Sequence, residues 1–201
     1  DWLESLPRTV LDVRPSLWVR SALSSLFSGQ TTGVEEKLQA AEHALQSVEA
    51  DDKARNLIGQ IASARAILAL TQHQIETILA QSRRALEYLH PKNLSSRATV
   101  HWTLGFAHML QGDRAAARQS YVESIRLGQE CGNIFTASLA TNDLGYIQES
   151  ENQLHQAAET YQHALQLFGD PPRPHAWQAY LGLARISYEW DDLEAAEQHA
   201  Q

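Results

Sequence analysis

The sequence predicts an all-α fold in which about five helix–turn–helix repeats stack into a solenoid. Four small residues lie inside apolar helical segments at intervals of 39, 40 and 39 residues: Ala66, Gly105, Gly145 and Ala184. In the following helix, a small residue followed by a large aliphatic residue recurs at the same intervals of 39 and 40 residues: Ala85-Leu86, Ser124-Ile125 and Ala164-Leu165. No segment shows the apolar–polar alternation of a strand. A fixed period in two independent markers indicates a repeat architecture.

The repeats are predicted to form one domain, with boundaries at 14–49, 53–89, 93–130, 133–168 and 174–201. Proline lacks a backbone donor and disfavours helix in the residue before it, while glycine often ends a helix. Three breaks of this kind separate the later repeats: His90-Pro91-Lys92, Gly132-Asn133 and the segment 169–174.

The first repeat begins with a helix that Pro15 opens and that runs to about Ser28. Proline is well placed at the first position of a helix, where no backbone donor is needed. A glycine-bounded turn over 29–33 then leads into the second helix, which is predicted over 34–49.

In the second repeat, Asp51-Asp52 precedes a helix that ends near Thr71, and its partner helix covers 74–89. Arg65 lies in an otherwise apolar part of the first of these helices. Since arginine is seldom buried unless it is paired, we expect Arg65 to meet a carboxylate from a neighbouring helix.

The third and fourth repeats combine a small residue in the first helix with an aromatic residue in the second. We expect Gly105 and Gly145 to allow close approach of the partner helix, and Tyr121 and Tyr161 to fill the gap between neighbouring pairs. Between the helices of the third repeat, Gly112-Asp113 supplies a helix-ending glycine and an N-cap carboxylate. Asp191-Asp192 serves the same purpose in the fifth repeat.

This pattern resembles the tetratricopeptide repeat (TPR), whose unit is 34 residues. The resemblance implies a right-handed superhelical solenoid. Trp102 lies one residue later than the Trp of the family's Trp-x-x-Leu-Gly pattern, and His101 takes that position. The five or six additional residues per repeat imply longer helices or longer links.

Three segments resemble the large ATP-dependent regulators of the LuxR class, which include relatives of the bacterial maltose-regulon activator. The segments are Trp2-Leu3-Glu4-Ser5-Leu6-Pro7 with Arg14-Pro15-Ser16-Leu17, the helix start at 34–42, and 182–197. The resemblance implies a P-loop NTPase module before this region and a DNA-binding helix-turn-helix after it. We therefore expect the chain to be a fragment of a longer regulator. No Gly-x-x-x-x-Gly-Lys-Ser/Thr occurs in it, and no cofactor is expected in this fragment.

Composition favours a cytoplasmic protein that does not touch nucleic acid itself. The chain carries 16 Lys and Arg against 24 Asp and Glu, a net charge of −8, whereas nucleic-acid binding needs a basic surface. No apolar stretch approaches the roughly 18 residues of a membrane span. The single cysteine, Cys131, excludes an internal disulfide framework.

Metal and catalytic sites are not expected. His155, Glu159 and His163 follow an i, i+4, i+8 spacing, but a solvated helix face accounts for them better, because zinc sites usually take further ligands from elsewhere. His101 and His108 lie on one helix beside Trp102. We expect them to pack against neighbouring helices or to line the groove rather than to bind a metal ion. Cys131 lacks an adjacent base or oxyanion hole, so no enzyme activity is predicted.

The predicted functional surface is the concave face, which first helices line in TPR-like stacks. Side chains there that packing does not require are the candidates: Trp102, Phe106, Asn142, Tyr146, Gln178, Arg185 and Tyr188. Aromatic faces beside an amide and a guanidinium suit a polar ligand such as a sugar, or a peptide; the alternative for Phe106 and Tyr188 is a place in the core.

Together, the pattern and the resemblance predict the signal-receiving region of a LuxR-type transcriptional regulator. It would bind a small-molecule inducer or a protein partner and control assembly, including self-association. The alternative is a generic TPR scaffold for protein–protein interaction.

Overall fold

A computed structural model describes residue 11 and residues 14–46, 51–168 and 176–200. Within these ranges the chain is entirely helical, with turns but no strands, which confirms the all-α repeat fold. Ten helices form five antiparallel pairs: α1 (Pro15–Phe27) with α2 (Val34–Leu45), α3 (Asp52–Thr71) with α4 (Ile75–Tyr88), α5 (Leu94–Leu110) with α6 (Arg114–Cys131), α7 (Ile134–Ser150) with α8 (Leu154–Phe168), and α9 (Trp177–Glu189) with α10 (Leu193–Ala200).

Most observed helix ends lie close to those expected from the sequence. The helix that opens at Pro15 ends at Phe27. The second helix ends at Leu45, with Gln46 as its C-cap, and its predicted extension to residue 49 otherwise lies outside the described residues. The predicted break at 169–174 and the opening segment 2–7 also lie outside them.

Short polar side chains begin five of the helices. In each case a side-chain oxygen accepts a hydrogen bond from the backbone N–H three residues later, which would otherwise lack a partner. The caps are Asp51 (2.8 Å), Asn93 (3.3 Å), Asp113 (3.0 Å), Asn133 (3.3 Å) and Asp192 (3.1 Å). The predicted N-caps in the third and fifth repeats are therefore present.

Glycines and tyrosines bring the helices together as expected. A Cβ atom on Gly105 would lie 2.4 Å from Cε1 of Tyr121, and one on Gly145 would lie 2.8 Å from Cε1 of Tyr161. Both tyrosines are almost fully buried, at 1% exposed. Gly182 also packs on the ring of Tyr161, from the first helix of the next repeat. Tyr161 is thus held between two consecutive helix pairs.

Arg65 of α3 meets two carboxylates on α2, as the sequence predicts. Its guanidinium lies 2.8 Å from Glu35 Oε1 and 2.7 Å from Glu42 Oε1. These hydrogen bonds, led by the one to Glu42, raise the pKa of Arg65 further above its already high ordinary value. The ion pairs join the first repeat to the second.

None of the described helices combines the length and the hydropathy that crossing a lipid bilayer requires.

Candidate ligand-binding face

A row of polar contacts links the first helices of the last three repeats. The indole Nε1 of Trp102 on α5 donates a hydrogen bond to Oδ2 of Asp143 on α7, at 2.8 Å. Next to it, Nδ2 of Asn142 donates to Oε1 of Gln178 on α9, at 3.3 Å. Three of the predicted site residues therefore bridge neighbouring repeats.

Asp143 has a raised pKa because it is buried at this contact between α5 and α7. Burial raises its pKa to about 6, although the hydrogen bonds from Trp102 and Asn142 favour the ionised form. Desolvation penalises a charged carboxylate more than these two donors compensate. The contact between the third and fourth repeats therefore depends on a carboxyl group that changes charge near neutral pH.

A second polar contact joins α7 to α9 further along the same helices. Arg185 donates two hydrogen bonds to Glu149, at 2.6 and 2.8 Å, and the Tyr161 hydroxyl donates a third at 2.7 Å. Burial raises the pKa of Glu149, but the bonds from Arg185 and Tyr161 outweigh it, so the net pKa lies below its ordinary range. Glu149 is therefore held as a carboxylate, which fixes the guanidinium plane of Arg185.

A cavity of about 660 Å³ opens beside this ion pair, between the fourth and fifth repeats. Arg185, Glu149 and Tyr188 line it, together with the α7–α8 turn at Asn152 and with Ala196 of α10. The Tyr188 side chain is 67% exposed, and Arg185 is partly exposed despite its ion pair. The cavity thus offers an aromatic face and an anchored cation to a ligand.

The seven predicted site residues occupy four kinds of position. Arg185 and Tyr188 line the 660 Å³ cavity. Trp102, Asn142 and Gln178 take part in contacts between repeats, and Tyr146 is 51% exposed outside that cavity. Phe106 packs on the apolar cluster around Ile78, and its ring lies 6.3 Å from that of His73. Of the seven, Arg185 and Tyr188 therefore line one cavity together.

Glu149 and Asp143 are the site residues that sequence reasoning missed. Each is an acidic residue within a helix, and nothing local distinguishes it from the many solvated carboxylates of the chain. Their partners lie 36 and 41 residues away. The repeat period could have indicated these partners, because residues about one period apart on consecutive first helices become neighbours.

The histidines do not converge. His155, Glu159 and His163 are all exposed, and the His155 ring stacks on Trp190 with centroids 4.7 Å apart. Across the part of the chain that the structure describes, no three His, Cys, Asp or Glu side chains are grouped to hold a metal ion. Burial lowers the pKa of His101, against the attraction of Glu123.

Comparison with known proteins places the chain among helical-repeat proteins. A family described as the MalT-like TPR region matches residues 59–201, which is more than half of the chain. The crystal structure of BtubC (BKLC) from P. vanneervenii is similar in fold, with a TM-score of 0.72 and 17% identity over 96% of this chain and 82% of that one. No curated protein matches the sequence.

Proposed function

The chain belongs to the MalT-like TPR region family, and on this basis we propose that it is the signal-receiving region of a LuxR-type transcriptional regulator. It binds a polar inducer or a partner peptide on its concave face and thereby controls assembly of the full protein. DNA binding belongs to a separate domain, and the region works in the cytoplasm without a cofactor of its own.

The main support for this proposal is the cavity between the fourth and fifth repeats. Its lining comes from α7 and its following turn, α8, α9 and α10, so an occupant contacts two repeats at once. Such a ligand binds most tightly to one relative arrangement of the repeats, and that difference in affinity shifts the conformational equilibrium.

The chemistry of the cavity favours a polar ligand with an apolar face. Arg185 is held by Glu149 and presents its remaining donor groups, while the exposed ring of Tyr188 offers a stacking surface. A sugar or a short peptide matches this combination.

The first experiment is a thermal-shift screen of this chain against sugars, small metabolites and ATP. Native-state binding raises the melting temperature in a concentration-dependent way. We expect one ligand class to do so, and Arg185→Ala to abolish the response. Arg126→Ala is the matched control, because Arg126 is also paired, with Glu123 and Glu130, but lies on the surface of α6. An unchanged response in Arg185→Ala would contradict the proposal.

A protein–protein interaction scaffold is the second candidate. Its support is a set of exposed apolar side chains on the last helix pair: Trp177, Leu181 and Leu193. A scaffold would give no small-molecule response, and Trp177→Ala with Leu181→Ala would abolish binding of its protein partner. Walker A and helix-turn-helix motifs in the flanking sequence would favour the regulator.

A further inference from the structure

A smaller cavity, of about 240 Å³, lies where the first helices of four consecutive repeats converge. Its lining comes from α1, α3, α5 and the start of α7. Six residues define its character: Phe27, Gln60, Ser63, Thr99, Phe135 and Thr136. It shares no lining residue with the cavity beside Arg185.

Two aromatic rings close one side of this cavity. The rings of Phe27, at the end of α1, and Phe135, at the start of α7, meet edge to face with centroids 5.8 Å apart and planes at 90°. This contact joins the first repeat to the fourth across the first-helix face. An occupant of the cavity therefore contacts four repeats and lies against two rings.

Apart from Leu23, the remaining lining is polar and uncharged. Ser63 is 4% exposed and lines the cavity. The hydroxyls of Thr99 and Thr136 lie 3.5 Å apart, and both residues are buried. A small polar ligand in this cavity would gain hydrogen bonds to these side chains.

We propose that this cavity is a second binding site, which takes a small uncharged molecule carrying hydroxyl or amide groups. Among the described residues, no lysine, arginine, aspartate or glutamate lines it, so an ionic ligand would lose its hydration without gaining a counter-charge. Its volume lies below the roughly 300–1,000 Å³ of sites for drug-sized ligands, which limits the occupant to a smaller molecule. The site goes beyond the proposed function because it does not involve Arg185.

Matched neutral and charged probes test the site. Saturation-transfer NMR and calorimetry would compare glycerol with glycerol 3-phosphate, myo-inositol with its monophosphate, and acetamide with acetate. We expect at least one neutral probe to bind and its charged counterpart not to. Ser63→Ala and Thr99→Val should each weaken that binding roughly five- to tenfold, the effect of one lost hydrogen bond.

Two control variants make the result specific. Ser138→Ala removes a buried hydroxyl from α7 that bonds to its own helix, outside the lining, and should leave the affinity unchanged. Arg185→Ala should also leave it unchanged, which separates this site from the proposed inducer cavity. Failure of every neutral probe to bind, equal binding of charged probes, or unchanged affinity in a folded Ser63→Ala variant would each overturn the proposal.

Discussion

The ring of Tyr161 occupies the space in which a Cβ atom on Gly182 would lie. Such an atom would come within 2.4 Å of Cε2 and Cζ of that ring. Tyr161 belongs to α8 and Gly182 to α9, so this contact sets the distance between the fourth and fifth repeats. The cavity beside Arg185 lies between the same two repeats, and its shape therefore depends on this glycine.

Gly182→Ala is expected to lower the free energy of unfolding by about 1–3 kcal/mol, the usual cost of overpacking a tight contact. Urea denaturation followed by circular dichroism measures the change. In a Tyr161→Leu background the same substitution should cost less, because the ring is gone. Equal costs in both backgrounds would show that the clash does not control the spacing.

Glu42→Gln is expected to destabilise the fold at neutral pH but not in acid. The hydrogen bond from Arg65, opposed by burial, holds the pKa of Glu42 below its ordinary 4.5. Its stabilising contribution is therefore complete above that value and is lost as pH falls through the lower folded-state pKa. The loss at pH 7 should be about 0.5–1.5 kcal/mol, since both partners are partly exposed.

Thermal unfolding of Glu42→Gln across pH 3 to 7 checks this dependence. Glu36→Gln is the matched control, because Glu36 is exposed on the same helix and forms no ion pair among the described residues. A constant difference from the wild type across this pH range would contradict the ion-pair explanation.

Asp143→Asn should have the opposite pH dependence. Burial raises the pKa of Asp143 from 3.8 to about 6, so the folded state retains a proton that the unfolded state releases. The wild type therefore loses stability as pH rises through this window, and the variant does not. Relative to the wild type, the variant should gain about 1–3 kcal/mol between pH 4 and pH 7.

Chemical denaturation of Asp143→Asn at several pH values measures this gain. Asp113→Asn makes the same charge change at an exposed N-cap, where asparagine also caps well, and should follow the wild type. If the Asp143→Asn difference does not vary with pH, Asp143 is ionised normally in the folded state.

Trp102→Phe and Tyr188→Ala should separate packing from ligand contact. Trp102→Phe leaves the Asp143 carboxyl without its indole donor, so it should lower the unfolding free energy by about 1–3 kcal/mol. It should leave the affinity of the Arg185 cavity unchanged. Tyr188→Ala, at an exposed position, should weaken ligand binding and change stability little. Calorimetry and urea denaturation on both variants measure the two effects, and the reverse pattern would reassign the roles.

The repeat architecture and much of its packing follow from local features of the amino-acid sequence. Glycines, prolines and apolar periodicity determine helices and turns over short stretches, so the 39- to 40-residue period and the N-caps at Asp113 and Asp192 could be predicted. The contacts of Gly105 and Gly145 with Tyr121 and Tyr161 follow from the same period, and the burial cost of a lone cation predicted carboxylate partners for Arg65.

Which residues meet between repeats depends on tertiary packing that short stretches of sequence do not specify. Trp102 bonds to a residue 41 positions later, whereas Arg185 bonds to one 36 positions earlier, so no single period predicts both pairs. The offset depends on how far each helix pair shifts along its neighbour, which packing of whole helices controls. For the same reason, Tyr161 meets Gly182, which is not one of the small residues that mark the repeat period, and Phe27 reaches Phe135 across three repeat boundaries.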